Sequence, residues 1–206
     1  MLMCFTFPLF YNSLLHYKFW VRWGGMPELN FENALRNSNI DISNVNINTN
    51  IDFASLSGAF IGGTGDYVNL FEPNATQIEK LGYGKVVASI GKLSGEMPYT
   101  AFNARKSYIE NNKETIKSFT KAIEEGLEYV NKNDSKTIAN AIIEQFPDTS
   151  INDLITIIER YKENDSWLID SYITKESFEN LQDIMIKSNQ LEKYVNYEDL
   201  IVNIDE

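Results

Sequence analysis

The chain has 206 residues, a mass of 23.6 kDa and a formal net charge of -11. That length suits one domain or two small lobes, and it buries a core without disulfide or metal staples. A single cysteine, Cys4, and a single histidine, His16, exclude an internal disulfide, a Cys-based zinc cluster and a His-rich metal site, while the acidic balance, with no basic stripe, argues against nucleic-acid binding, whose affinity comes from phosphate contacts.

Residues 1–23 read MLMCFTFPLFYNSLLHYKFWVRW. No early Lys or Arg precedes the apolar run, and Pro8, Asn12, Ser13 and His16 interrupt it. The stretch therefore fits neither a secretory signal nor a span of about 20 apolar residues. Met3 is bulky and no apolar segment precedes Cys4, which argues against a lipoprotein cleavage site. The segment is set apart as an atypical leader, with Phe19–Trp23 expected as a short strand because aromatic and β-branched side chains suit a pleated surface.

From Gly24 to Gly91 helix and strand signals alternate. Pro27 and Glu28 suit a helix start, and Leu29, Phe31, Ala34 and Leu35 give its buried stripe to about Ser38. Val45, Ile47, Thr49, Ile51 and Phe53 alternate with polar residues as a strand does. Ala54–Ile61 reads as a short helix and Gly62–Gly65 as a loop. Asp66–Phe71 reads as a strand that Pro73 ends, Thr76–Leu81 as a helix closed by Gly82, and Lys85–Ile90 as a buried strand. Such alternation implies right-handed crossovers and a mostly parallel sheet.

The texture changes after Gly91. Residues 92–98 (KLSGEMP) form a Gly/Pro break, and Tyr99–Arg105 is expected as one more strand. Helical spacing then holds throughout: Ile116, Phe119, Ile123, Leu127 and Val130 over 112–131, a Ser135-capped helix with Ile138, Ile142, Ile143 and Phe146, a Ser150/Asp153 capping pair before Leu154, Ile157 and Ile158, and a Thr174 cap before Phe178, Leu181, Ile184 and Met185. These stripes are read as core.

Catalysis by nucleophile and base has little to work with. Cys4 and His16 both lie in the leader, and no nucleophile-elbow motif occurs. The glycine-rich run Gly58…Gly62-Gly63-Thr64-Gly65 lacks both the phosphate-loop ending and the dinucleotide fingerprint. Its glycines allow close approach of another backbone or of a ligand, which makes Gly63, Thr64 and Asp66 candidates. Glu72 directly follows an apolar strand, and ligands of open α/β sheets collect beyond such strand ends; it either holds a ligand donor or caps the next helix. Gly24, Gly25 and Met26 precede a helix start, where free N–H groups take a polar or anionic group or simply make a tight turn. Tyr99, after the Gly/Pro break, either lines a cleft or packs in a strand. No residue is assigned to catalysis, metal or cofactor binding.

Three stretches, GGMPELNFENALRNSNID, FASLSGAFIGGTGDYVNLFEPNATQIEK and GKVVASIGKLSGEMPYTAFNARKSYIENN, resemble substrate-binding proteins of ABC importers. The branch is the nitrate/sulfonate/taurine and thiamine-pyrimidine-precursor (NMT1/THI5-like) group. ERYKENDSW and ESFENLQDIM are similar too, so the likeness covers about residues 24–200. The resemblance implies a type II periplasmic-binding-protein-like α/β fold of two lobes, shortened at the N-terminus and helical in its C-terminal half. It implies residues 24–91 as the second lobe, 92–98 as the hinge, and 99–206 as the returning part of the first lobe. It further implies an extracytoplasmic, membrane-associated receptor, monomeric if complete, that traps a small polar solute and delivers it to permease subunits. A pyrimidine-synthase-like enzyme on the same scaffold, or a non-functional fragment, are the competing readings.

Overall fold

The computed structural model describes residues 2–5, 17–22, 24–164 and 166–202. Five strands, β1 (Leu2–Phe5), β2 (Lys18–Trp20), β3 (Asn46–Asn48), β4 (Tyr67–Leu70) and β5 (Lys85–Ser89), pair in the order β3-β2-β4-β1-β5. β2 is parallel to both β3 and β4, whereas β1 is antiparallel to both β4 and β5. Four strands thus point one way and β1 runs against them. Parallel neighbours need long crossovers. α1 (Met26–Asn37) makes the one between β2 and β3, α2 (Leu56–Ile61) the next, and α3 (Asn74–Lys80) the one from β4 to β5.

Four of the expected strands are present, with β3 shorter than the alternation from Val45 to Phe53 predicted. The leader is corrected. Lys18–Trp20 lies at the centre of the parallel set, and Phe19 and Val21 are 2% and 1% exposed. The α/β unit therefore begins before Gly24, and Leu2–Phe5 supplies a strand of the same sheet. His16 lies outside the described residues.

β4 is buried on both faces, as parallel strands usually are. Tyr67 joins Phe19, Phe31, Leu35 and Ile90 under α1, and its ring stacks on Phe19 with centroids 4.7 Å apart. Val68 and Leu70 face the opposite way, into Leu56, Phe60, Ala75 and Ile78. This alternation is the period of a strand expressed as two cores on two sides of one sheet.

α4 (Ile90–Ser94) runs straight through Gly91, so the change of texture there is not a break in structure. Beyond it come α5 (Lys106–Asn111), α6 (Lys113–Lys132), α7 (Ser135–Ile142), α8 (Ile151–Glu163), α9 (Lys175–Lys187) and α10 (Tyr197–Leu200). Ser150 caps α8, accepting from the Asp153 N–H at 3.2 Å, and Thr174 caps α9, accepting from the Ser177 N–H at 3.1 Å. α7 is capped by Asp134, one residue earlier than expected, because its carboxylate accepts from the Thr137 N–H at 2.7 Å. Ile138, Ala139, Leu154 and Ile158 form a third core between α7 and α8.

Two expectations fail here. Tyr99–Arg105 is not a strand: residues 100–105 run irregularly and exposed, with Phe102 77% exposed, and no sheet edge among the described residues pairs with them. The α6 stripe is not core either. Ile116, Ile123, Leu127 and Val130 are only half-buried and Phe119 is 44% exposed. Phe146 is likewise 40% exposed.

Candidate functional site

All three adjacent parallel strands deliver their next residues to the same end of the sheet. Arg22 follows β2, Phe53 follows β3 and Phe71 directly follows β4. The Arg22 guanidinium lies 5.5 Å from the Phe53 ring centroid. Phe53 meets Phe71 edge-on at 5.5 Å, and Phe71 meets Tyr99 edge-on at 5.9 Å. Tyr99 comes from the irregular crossover, and its hydroxyl oxygen is buried with no hydrogen-bond partner among the described residues. Burial pushes the Tyr99 phenol up to about 12, while the Arg22 charge pulls the other way. Tyr161 on α8 is raised by burial and by the Glu72 charge, against the pull of the Glu72 backbone N–H, and its ring meets Trp167 at 5.5 Å.

Glu72 stands at this end, but its oxygens are committed to the protein. Oε2 accepts from the Thr76 N–H at 2.9 Å and so caps α3. Oε1 accepts from Arg160 Nη1 at 3.0 Å, and the Glu72 side chain is 1% exposed. Arg160 also donates to Thr76 Oγ1 at 2.9 Å and pairs with Glu79, whose other oxygen accepts from the Val86 N–H at 2.7 Å. Burial opposes the Arg160 charge, but hydrogen bonds to Glu79 and Glu72 outweigh it and hold the guanidinium above its ordinary range. Glu72 thus performs the capping role the sequence allowed, and in addition ties α3 to α8. The Glu72–Pro73 peptide is cis.

Gly24, Gly25 and Met26 lie beyond the same end of β2, at the start of α1. Gly24 and Gly25 have φ of 71° and 70°, and the Gly24 N–H donates to Glu28 Oε2 at 2.6 Å. Gly63, Thr64 and Asp66 precede β4 and so lie at its opposite end. The Gly63 and Thr64 N–H groups close α2 on Phe60 and Ala59, and the Asp66 carboxylate accepts from the Lys18 N–H at 2.8 Å. Gly65 shows what approaches the backbone in this loop. At φ 78°, a Cβ built there would come within 1.9 Å of Trp20 Cδ1, so the close neighbour is an indole of the same chain. The structure therefore groups Gly24, Gly25, Met26, Glu72 and Tyr99 at one end and leaves Gly63, Thr64 and Asp66 at the other.

Arg22, Phe53, Phe71 and Tyr161 were missed by the sequence reading. Three of them share a signal that strand order would have exposed, since each follows a parallel strand within five residues. Among the described residues no group of three or more His, Cys, Asp or Glu side chains is placed to hold a metal ion, and no helix is long and apolar enough to cross a membrane.

Two solved structures share this fold. The ligand-binding component of an ABC-type import system from Staphylococcus aureus, solved with zinc bound, superposes with a TM-score of 0.71 at 16% identity over 98% of this chain and 67% of that one. The periplasmic aliphatic sulphonate binding protein SsuA from Escherichia coli gives 0.68 at 16% identity over 98% and 65%. The chain belongs to the NMT1-like family, whose model matches residues 20–144. It is also 43% identical over 181 residues to YtlA of Bacillus subtilis (strain 168), named as a binding protein; the match covers 87% of this chain and 54% of YtlA, so the chain spans about half the length of that curated relative.

Proposed function

We propose that the chain is a solute-binding component of an ABC importer, holding a small polar molecule at the carboxyl ends of β2 and β4 rather than transforming it. The observation that carries this reading is that residues after the three parallel strands, Arg22, Phe53 and Phe71, form one row with Tyr99, whose buried hydroxyl has no hydrogen-bond partner among the described residues. Ligands of open α/β sheets bind at such places, and the family and the shared fold support receptor work. Gly24, Gly25, Met26 and Tyr99 line the site in this proposal, with Glu72 and Arg160 setting the position of its wall. Gly63, Thr64 and Asp66 are not part of it.

The α/β unit, now including β2, forms one lobe; of the expected hinge at 92–98, Lys92–Ser94 belong to α4, so the crossover at 95–98 acts as hinge, and residues from 99 onward belong to the other lobe. Closure of such a cleft sequesters the solute. The reading places the receptor outside the cytoplasmic membrane, with permease subunits as its partners. Sulfonate, taurine, nitrate and pyrimidine-type solutes are its candidate cargo.

Calorimetric titration with ethanesulfonate, taurine, nitrate and an aminopyrimidine tests the proposal. Saturable one-to-one binding of at least one, weakened severalfold by Tyr99→Phe, is expected. Chemical conversion of the aminopyrimidine without saturable binding of any solute would move the chain to the enzyme reading.

A further inference from the structure

Building on the solute-binding reading, we infer that Gly95 is a single-residue pivot whose rotation uncovers the Tyr99 hydroxyl for the solute. The residues before it are fixed. Asn33 Nδ2 donates to the buried Ser94 carbonyl at 2.7 Å. Asn37 Nδ2 donates to the Leu93 carbonyl at 3.0 Å and to the Ser94 carbonyl at 3.3 Å. These are the last carbonyls of α4, which lack partners within their own helix. α1 thus holds α4 to the α/β unit through its final residue. The residues after Gly95 are restricted as well. Pro98 has a fixed φ and turns the residue before it, Met97, away from the helical region. Gly95 and Glu96 remain as the free joints of the crossover, and the Glu96 carbonyl is held by Asn180 Nδ2 of α9 at 2.7 Å.

Gly95 itself stands at φ 85° and ψ 173°, a region that side chains essentially exclude. A glycine that merely ends a helix ordinarily takes the left-handed helical conformation instead. Space is not the constraint, since among the described residues a Cβ built at Gly95 meets Asn180 Nδ2 at an ordinary 3.9 Å. Helix capping accounts for Asn33 and Asn37. It does not account for a grip on Glu96, which lies beyond the helix, or for a glycine-only backbone between the two grips. What the turn carries is Tyr99, four residues on, seated edge-on against Phe71 with its hydroxyl buried. In this arrangement the hydroxyl is closed to any solute. Rotation at Gly95 breaks the Asn180 hydrogen bond, leaves the Asn33 and Asn37 ties in place and swings Tyr99 off Phe71. The reverse turn closes the site over what has entered.

Acetylation of the intact chain by N-acetylimidazole, followed tyrosine by tyrosine through peptide mass mapping with no solute present, tests the pivot. Tyr67, 4% exposed in the core under α1, reports general loosening. Gly95→Ala is expected to raise the Tyr99 rate roughly fivefold or more relative to Tyr67, because it penalises the closed backbone alone. Asn180→Ala should raise the Tyr99 rate by less, again with Tyr67 unmoved. If Gly95→Ala raises Tyr67 equally, Asn180→Ala decides: a rise at Tyr99 alone supports the pivot and no rise overturns it. A Tyr99 rate unmoved in both variants overturns it too. If Tyr99 opens as expected while none of the four titrated solutes binds, the pivot stands and the receptor reading falls. If a solute binds while neither variant moves Tyr99, the pivot falls and the receptor reading stands.

Discussion

α1 and α6 are both amphipathic helices with a clear apolar stripe, yet α1 buries Leu29, Phe31, Ala34 and Leu35 and α6 buries none of its residues. α1 lies against the sheet, where Phe19 and Tyr67 meet its Phe31 and Leu35. α6 instead meets Phe102 edge-on at its Phe119, at 4.8 Å, and lays Val130 against the rim of the third core. The pair teaches that periodicity says which face of a helix is apolar, while burial depends on what the rest of the chain brings to that face. The same contrast separates the two halves of the molecule. The α/β unit is held by apolar layers, and the helical part leans on it through polar ties: Lys80 to Asp153 at 2.7 Å, Arg36 to Ser188 at 3.2 Å, and Asn180 to the Glu96 carbonyl at 2.7 Å.

The sharpest test of this contrast uses one residue type twice. Phe31→Ala should cost about 3–5 kcal/mol, as core aromatic truncations do, whereas Phe119→Ala should cost less than about 1 kcal/mol. Urea denaturation of the two variants measures both, and equal losses would show that α6 is as well buried as α1. Next comes Gly65→Ala. Overpacking costs about 1–3 kcal/mol and a left-handed residue with a Cβ about 1–2 kcal/mol more; a shift in the tryptophan near-UV signal should accompany the loss, because Trp20 is the group displaced.

Arg160→Met probes the seam between the halves. It strands Glu72, a nearly fully buried carboxylate, and should cost about 2–3 kcal/mol, a value below that of a wholly buried pair because Arg160 keeps some exposure. Adding Glu72→Gln should return part of the loss, which a double-mutant cycle by thermal denaturation would read. The smallest effect is a pH dependence. Hydrogen bonds from Lys80 and Ser150 hold the Asp153 carboxyl below its ordinary value. Its folded pKa is depressed, so its contribution is present above the unfolded pKa near 4 and is lost as pH falls through the folded value. Asp153→Asn should flatten the acid limb of the stability profile; an unchanged limb would remove this pair from the seam.

The α/β unit was legible because its signals are local. Pro27 and Glu28 marked the start of α1, the alternating run marked β3, and the apolar stretches around Gly82 marked β4, α3 and β5. The capping of α8 by Ser150 and of α9 by Thr174 was likewise written in adjacent residues. Sheet order was not legible, because pairing of Leu2–Phe5 with β4 and β5 is a contact across more than 60 residues that no spacing announces. For the same reason Glu72 was noticed while Arg160, 88 residues away, was not. The aromatic row at the site was missed because Phe53, Phe71 and Tyr99 look like ordinary core residues until strand direction places them at one end of the sheet. Residues 99–105 carried strand-forming side chains, but a strand also needs an edge to pair with.

Arg160 has a consequence for how sequences of this kind change over time. One guanidinium serves Glu72, Thr76 and Glu79 at once, so a substitution at any of these four positions leaves a partner stranded. Single steps away from this arrangement are therefore disfavoured, and relatives that have lost the arginine should have replaced the two glutamates in concert. Positions 72, 76, 79 and 160 should drift as a group in descent, and aligned relatives of this chain should show them changing together or not at all.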